Sequence, residues 1–237
     1  MFDHLDIGVS DLDASRAFYT LALGEPTAVH EWVEWGAFGI TPADAEHPLT
    51  QRLHVGFGAE DRAAVDAWWR RLVDAGYRSD GEPGPRPQYT ETYYGAMVLD
   101  PDGHSIEAVH HYRSRPGEID HVWLRTRDVG EARRFYTTIA PAVGLELVRE
   151  GDDFVRFSDG AGSFTFVAGD PPTEHVHLAF AAAGVEEVAE FHRLATAAGF
   201  ADNGPPGERP HYHPGYHGAF VFDPDGHNVE AVFHDRR

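Results

Sequence analysis

The 237-residue sequence contains no cysteine, which excludes disulfide bonds, thiolate metal ligands and a cysteine nucleophile. Any bound metal must be held by histidine, aspartate, glutamate or backbone oxygen. Positive charge is scarce as well, because 19 Lys and Arg residues stand against 39 Asp and Glu, giving a net charge of −20. Such a charge disfavours nucleic acid and anionic membranes as partners.

Long apolar runs are also missing. No stretch is long enough to span a bilayer, and the N-terminal residues Met1 to Asp6 lack the basic start and apolar run of a signal peptide. We therefore expect a soluble cytoplasmic protein. With 42% hydrophobic and 12% aromatic residues, the chain can bury a core, and its length suits one large domain or two of ordinary size.

One ten-residue segment occurs twice. Asp100–Val109 returns as Asp223–Val232, with eight of the ten positions identical. Its Asp-Pro-Asp-Gly start suits a type I turn, and the residues that follow alternate as in a strand. His104 and His227 come directly after the turn glycines, where we expect an exposed side chain without a role.

The repeat extends over both halves of the chain. Asp3 through Tyr19 matches the second half at an offset of 117, and from His54 onward the offset is 123. The halves meet near a short polar linker at 113–117. Each half reads as strand, helix and strands, twice over, which predicts an α+β fold. We predict two domains, at 1–112 and 118–237.

Each half places a histidine in its first strand, a histidine in its fifth and a glutamate in its eighth, all on the face opposite the apolar residues. The candidate metal ligands are His4, His54 and Glu107 in the first half and His121, His177 and Glu230 in the second. A lone buried carboxylate is costly, so each glutamate needs a partner. Two imidazoles and one carboxylate can form a facial triad that leaves coordination positions open.

These residues carry a resemblance to a known family. The Asp3-His4 pair, Phe18-Tyr19, His54 and the Asp-Pro-Asp-Gly turn with Glu107, each repeated, resemble the vicinal oxygen chelate superfamily of glyoxalase I, extradiol dioxygenases, fosfomycin-resistance proteins, methylmalonyl-CoA epimerase and bleomycin-binding proteins. The resemblance implies two tandem domains, each of paired βαβββ modules that form a curved mixed sheet around a cleft. It also places the six candidates on metal-ligand positions.

The implied activity is that of a metal-dependent enzyme whose small substrate chelates the metal through neighbouring oxygens. Glyoxalase I uses a second carboxylate late in the first module, but the second-half strand reads Phe164-Thr-Phe166, and the first half offers only Asp44 or Glu46 in loop-like sequence. The three-ligand set is more similar to those of extradiol dioxygenases and fosfomycin-resistance transferases. The latter add basic side chains and a potassium loop, for which this acidic chain has no evident equivalent, and Fe(II) is therefore favoured over Zn, Mn or Ni. A metal-dependent isomerase or lyase stays open, as does a non-catalytic drug- or metabolite-binding resistance protein, since a strongly negative chain suits a cationic ligand.

Further candidates lie beside the triads. Arg86 and Arg209 are candidates for binding an anionic group of the substrate, although each can equally pair with a nearby carboxylate. Tyr93 and Tyr216 are catalytic candidates that would bond a metal-bound oxygen or act as acid or base, although a tyrosine there can simply line the cleft.

The second half adds histidines that the first half lacks. His213 and His217, where the first half has Thr90 and Tyr94, are candidate general bases, and a His-rich surface loop is the alternative interpretation. The halves can therefore differ in activity.

The sequence leaves open which strands form each cleft. Without strand exchange His4 joins His54 and Glu107, whereas with exchange it joins His177 and Glu230, and the first histidine of the second half takes its place. The expected partner is a small-molecule substrate, with neither nucleic acid nor membrane, and a homodimer stays open.

Overall fold

The protein is described by a computed structural model, which covers residues 2–235. Over this range the chain forms four successive repeats of one strand, one helix and three strands. The elements of the first half are β1 (Phe2–Val9), α1 (Leu12–Leu23), β2 (Ala28–Val29), β3 (Val33–Trp35), β4 (Phe38–Pro42), β5 (His54–Gly58), α2 (Arg62–Asp74), β6 (Ser79–Pro85), β7 (Tyr94–Leu99) and β8 (Ser105–His110). Those of the second half are β9 (Ile119–Thr126), α3 (Val129–Val143), β10 (Glu146–Glu150), β11 (Phe154–Ser158), β12 (Ser163–Ala168), β13 (Val176–Ala181), α4 (Val185–Ala197), β14 (Asp202–Glu208), β15 (Tyr216–Phe222) and β16 (Asn228–His234).

The strands form two eight-stranded mixed sheets, so the predicted α+β class with βαβββ modules is confirmed. The chain divides into two compact units. We call Ile7–Leu124 the His54 unit, and Met1–Asp6 with Arg125–Arg237 the His177 unit. The predicted boundaries at 112 and 118 stay a prediction, and their outer ends, residues 1 and 237, lie outside the described residues.

Each unit contains a strand from the other half of the sequence. The His54 unit has the order β9-β5-β8-β7-β6, in which β5 pairs parallel to β8 and antiparallel to β9. The His177 unit has the order β14-β15-β16-β13-β1. The first strand of each half is therefore exchanged, and of the two groupings left open by the sequence the exchanged one is observed.

Strand alternation separates an apolar face from a polar one. In β8, Ile106 and Ala108 are buried on the side where Val65, Trp68 and Leu72 of α2 pack. Glu107, which lies between them in β8, points to the other face of the sheet. The buried side chains of α2 thus cover the apolar face of the sheet, and the opposite face can carry polar side chains.

The Asp-Pro-Asp-Gly turn is held by buried hydrogen bonds. Asp100 accepts from the backbone N–H groups of Asp102 (3.0 Å) and His104 (2.8 Å), and from the hydroxyl of Tyr19 in α1 (2.8 Å). His104 is fully buried, and its Nδ1 accepts from the backbone N–H of Leu53 at 3.2 Å. The expectation of an exposed side chain was therefore wrong, because the imidazole fastens the start of β5.

The second copy repeats this arrangement. His227 is fully buried and its Nδ1 accepts from the backbone N–H of Val176, while Tyr136 donates to Asp223. In each half the turn thereby fixes the strand that carries the central histidine.

No helix within residues 2–235 is both long and apolar enough to cross a membrane.

Candidate metal centres

Three predicted ligands of the His54 unit meet on the polar face of the sheet. His54 Nε2 lies 3.1 Å from both Glu107 Oε2 and His121 Nε2, and His121 Nε2 lies 3.3 Å from Glu107 Oε2. We call this cluster the His54 site. The ligand-bearing strands β5, β8 and β9 are direct neighbours, and Gly56 is level with both Glu107 and His121. A methyl group at Gly56 would lie 2.3 Å from the imidazole of His121, so the glycine makes room for that ring.

The donor set fits a divalent metal ion. Metal bonds to imidazole nitrogen or carboxylate oxygen of about 2.1 Å place neighbouring ligands about 3.0 Å apart in an octahedron and about 3.4 Å apart in a tetrahedron. The three sides of the His54 triangle, 3.1, 3.1 and 3.3 Å, lie within that range. Three ligands on one triangular face leave the other coordination positions open.

Hydrogen bonds set the orientation of His54. Its Nδ1 lies 3.1 Å from Ser105 Oγ, and that hydroxyl donates to Asp80 at 2.7 Å. Because the hydroxyl proton is directed at the carboxylate, Ser105 Oγ accepts from Nδ1–H of His54. The tautomer inferred from this network leaves the Nε2 lone pair directed at the triad.

A second network holds His121. Its Nδ1 bonds Asp120 at 2.9 Å, and the other oxygen of Asp120 bonds His111 at 2.8 Å. Burial acts to lower the pKa of His121, but hydrogen bonds with Asp120 and Glu107 outweigh it and raise the pKa to about 9. Burial acts to raise the pKa of Asp120, yet hydrogen bonds from the two histidines hold it well below its usual range. Asp120 therefore stays ionised beside a candidate ligand.

Glu107 is almost fully buried and is supported from β7. Tyr93 donates its hydroxyl to Glu107 Oε1 at 2.9 Å, while a methyl group at Gly95 would lie 2.1 Å from the same oxygen. Burial acts to raise the pKa of Glu107, but hydrogen bonds from His121 and His54 hold it at about 2. The carboxylate is thus kept ionised, as a metal ligand requires.

The other three predicted ligands meet in the His177 unit. Glu230 Oε2 lies 3.1 Å from His177 Nε2 and 3.6 Å from His4 Nε2, and we call this cluster the His177 site. Tyr216 donates to Glu230 Oε1 at 2.8 Å, as Tyr93 does in the other unit. Position 179 holds alanine where the His54 site has Gly56, and the separations in this site are wider.

A hydrogen-bonded chain runs outward from His4. Its Nδ1 bonds Asp3 at 2.9 Å, Asp3 bonds His234 at 3.1 Å, and His234 Nδ1 lies 2.8 Å from His213 Nε2. Burial acts to lower the pKa of His4, but the charge of Asp6, the hydrogen bond with Asp3 and the charge of Glu230 raise it to about 9. His213 is thereby joined to the site through two intermediate side chains.

The remaining predicted residues are placed differently. Arg86 donates to the backbone carbonyls of Glu82 and Pro85, and Arg209 lies over the ring of Phe220 at 5.6 Å. His217 alternates with Tyr216 along β15, so its ring points to the opposite face of the sheet, where it lies beside Phe233. Within residues 2–235, no hydrogen bond, ion pair or ring contact joins Arg86, Arg209 or His217 to a triad.

Asp6 was missed by the sequence interpretation. Its Oδ2 lies 3.9 Å from both His4 Nε2 and His177 Nδ1, and these three residues form a candidate metal-holding group of their own. Trp123 occupies the matching position in the His54 site, where its ring lies 6.0 Å from that of His54. The signal was available, because residues two apart in a strand share a face.

Both halves of the chain match the same protein family. The model of the Glyoxalase/Bleomycin resistance protein/Dioxygenase superfamily matches residues 1–108 and 118–231. The chain belongs to this superfamily. No curated protein matches this superfamily member.

Solved structures agree with that assignment in fold. Glyoxalase I from Zea mays is similar with a TM-score of 0.72 at 19% identity, over 98% of this chain and 92% of that one. A putative dioxygenase from Bacillus subtilis subsp. subtilis str. 168 is similar with a TM-score of 0.70 at 14% identity, over 99% and 85% of the two chains. At these identities the likeness shows the fold alone.

Proposed function

We propose that the protein is a divalent-metal-dependent enzyme acting on a small substrate that chelates the metal through two neighbouring oxygens, with extradiol-type cleavage of an aromatic diol as the favoured reaction. The observation that carries the proposal is the donor triangle of His54, Glu107 and His121, with its sides of 3.1 to 3.3 Å. A two-histidine, one-carboxylate face is the donor set that non-haem Fe(II) oxygenases use. Bound there, Fe(II) would supply activation of molecular oxygen, the co-substrate of such a cleavage.

Six side chains would hold metal at the two sites, namely His54, Glu107 and His121 in one and His4, His177 and Glu230 in the other. Zn, Mn or Ni in the same positions would supply Lewis-acid chemistry. Asp80, Ser105 and Asp120 would act by keeping two of the imidazoles in the ligating tautomer. Tyr93 and Tyr216 would hold the ligand carboxylates by hydroxyl donation, a positioning role.

Aromatic side chains beside the His54 site support a flat substrate. The ring of Trp123 lies 5.7 Å from that of Tyr89, which in turn lies 5.0 Å from that of Tyr93. Trp123 also contacts the imidazole of His54 at 6.0 Å. An aromatic diol would stack on this group of rings while its oxygens reach the open positions.

The remaining candidates would bind an acidic group of the substrate or move protons. We propose Arg86 and Arg209 as ligands for an acidic group of the substrate, reached by rotation of two half-buried side chains. His213 would assist proton movement at the His177 site through His234 and Asp3, to which it is connected by hydrogen bonds. A direct role for His217 has no support in the contacts of the described residues.

The test is metal content followed by activity. Protein purified without oxygen should contain up to two divalent ions per chain, with iron among them, and should convert catechols to ring-opened products seen by visible absorbance. Glu107→Gln should remove one ion and this activity, while Glu91→Gln, at an exposed glutamate, should change neither. Metal content unchanged by both Glu107→Gln and Glu230→Gln would refute the ligand assignment.

The second candidate is a metal-dependent isomerase or lyase, and one observation favours it at the His177 site. Asp6 places a second carboxylate beside that triad, 3.9 Å from each of two imidazoles, and a carboxylate is a side chain that can act as the proton-transferring base. Isomerisation of an α-oxoaldehyde thiol adduct, lost in Glu230→Gln but kept in Glu107→Gln, would support it. Tight binding of a cationic ligand to metal-free protein, with no turnover, would indicate a sequestering protein instead.

A further inference from the structure

We infer that Asp6 determines the specificity of the His177 site, and that the substrate of this site carries a protonated amine beside its chelating oxygens. The inference rests on the proposed function and deepens it, because it requires a metal in the His177 site that binds a diol. Asp6 lies outside the repeated ligand pattern, since the matching position of the other half is Trp123.

Asp6 faces the His177 site without joining its ligand set. His4 and Asp6 lie two apart in β1, so both side chains project from the same face of the strand. Glu230 lies on the Nε2 side of His177 at 3.1 Å, whereas Asp6 lies on the Nδ1 side at 3.9 Å. An ion held by Glu230 and by Nε2 of His177 therefore leaves the carboxylate of Asp6 available for another partner.

The carboxylate of Asp6 is close enough to contact a metal-bound substrate. Its Oδ2 lies 3.9 Å from Nε2 of His4. Because a bond from metal to imidazole is about 2.1 Å, this oxygen would be at most about 6 Å from an ion bound to His4. The side chain of Asp6 is 35% exposed, so a molecule that enters from solvent can reach it.

Asp6 is not paired with an arginine. Within residues 2–235, its ion-pair partners are His4 and His177, and an imidazole that binds a metal is neutral. Arg209 donates to backbone carbonyls and lies over the ring of Phe220. A partly buried carboxylate is stabilised by a cation, and an ammonium group of the substrate would supply one.

An aromatic side chain lies in the field of the same carboxylate. Burial raises the pKa of Tyr212, and the charges of Glu230 and Asp6 raise it further, against the opposing charge of Arg209. The ring of Tyr212 lies 4.8 Å from that of Tyr216, whose hydroxyl bonds Glu230. A diol bound at this triad would therefore meet an aromatic ring and a negative charge together.

The His54 site offers a different surface at the matching position. There the indole of Trp123 lies 6.0 Å from the ring of His54 and 5.7 Å from that of Tyr89. An indole favours a flat uncharged group, whereas a carboxylate favours a cation. We therefore expect the two sites to select diols that differ in charge.

The experiment uses two catechols of nearly equal shape, 4-(aminomethyl)catechol and 4-ethylcatechol, which differ by one positive charge. Each is titrated without oxygen into the Co(II)-loaded full-length protein, and binding is followed by visible absorbance. Glu107→Gln isolates the His177 site, and Glu230→Gln isolates the His54 site. Circular dichroism and the Tm of each variant establish that the fold is retained.

The isolated His177 site should bind the amine about tenfold more tightly than the ethyl compound, the effect of one charge-assisted hydrogen bond. This preference should fall as salt is added. Asp6→Asn should remove the preference and leave the Kd of 4-ethylcatechol unchanged, whereas Asp6→Glu should retain the preference. The isolated His54 site is the matched control and should show no preference for the amine.

The outcomes separate the inference from the proposed function. Equal affinity of the His177 site for the two catechols, or a preference that survives Asp6→Asn, would overturn the inference while diol binding upholds the proposed function. An equal loss of both catechols in Asp6→Asn would show that Asp6 supports His177, which also overturns the inference. Co(II)-loaded protein that binds neither catechol would contradict the proposed function itself.

Discussion

Replacement of Gly56 by alanine tests whether the shape of the sheet controls the His54 site. A methyl group there would lie 2.3 Å from Cε1 of His121, 2.7 Å from its Nδ1 and 2.9 Å from its Nε2. Non-bonded contacts need about 3.5 Å, so the imidazole must move by about 1 Å. A metal bond of about 2.1 Å does not stretch by that amount.

The expected loss is large but incomplete. Position 179, which matches Gly56, is already alanine in the His177 site, where Glu230 still lies 3.1 Å from His177 and lies 3.6 Å from His4, against 3.3 Å between Glu107 and His121 in the His54 site. We therefore expect Gly56→Ala to weaken metal binding by about 10- to 100-fold, the range that follows when ligand orientation is disturbed. The strand itself should not be destabilised, because alanine restricts the unfolded chain more than glycine does.

The assay is a Co(II) titration in the Glu230→Gln background, where only the His54 site remains. The same substitution in the Glu107→Gln background serves as the control and should leave binding at the His177 site unchanged. A Kd for the His54 site within twofold of its parent, in a folded protein, would refute the idea that Gly56 shapes the position of His121.

Two other substitutions test the supporting hydrogen bonds. Ser105→Ala removes the acceptor of His54 Nδ1–H and should weaken metal binding at that site about tenfold, while Asn228→Ala, at the matching position, should have little effect because Asn228 bonds Asn203. Equal effects in metal titrations would argue against this tautomer control. Tyr19→Phe leaves one oxygen of buried Asp100 without its donor and should lower the free energy of unfolding by about 1–3 kcal/mol in urea denaturation, with no change in metal content.

The repeat pattern was sufficient to predict the modules and to single out the six side chains that the structure brings together in two clusters. The spacing of His54 and Glu107 placed both on the polar face of neighbouring strands, and the structure has them 3.1 Å apart. Which histidine completes the group of His54 and Glu107 could not be predicted from the sequence, because the first strands of the two halves are repeats of each other. Either of them satisfies the same alternation, so only the tertiary pairing of β5 with β9 decides between them.

Two other features, the burial of His104 and the position of Asp6, were not predicted from the sequence, and each has a physical reason. His104 follows a turn glycine, which usually indicates exposure, but its imidazole accepts a buried backbone N–H of Leu53 and so lies inside. Asp6 was passed over because ligands were sought as residues shared by both halves, and Trp123 stands in its place in the other half. Comparison of repeats finds what the halves have in common and conceals what distinguishes them.

Because the first strands are exchanged, each candidate metal site draws its ligands from both halves of the chain. Cutting the gene at the linker would yield two fragments, each missing one imidazole of its own cleft, so neither fragment alone would assemble a complete ligand set. A substitution of His4 would alter the site that contains Glu230, more than two hundred residues downstream. Loss of either half of the chain would therefore leave both candidate sites short of ligands.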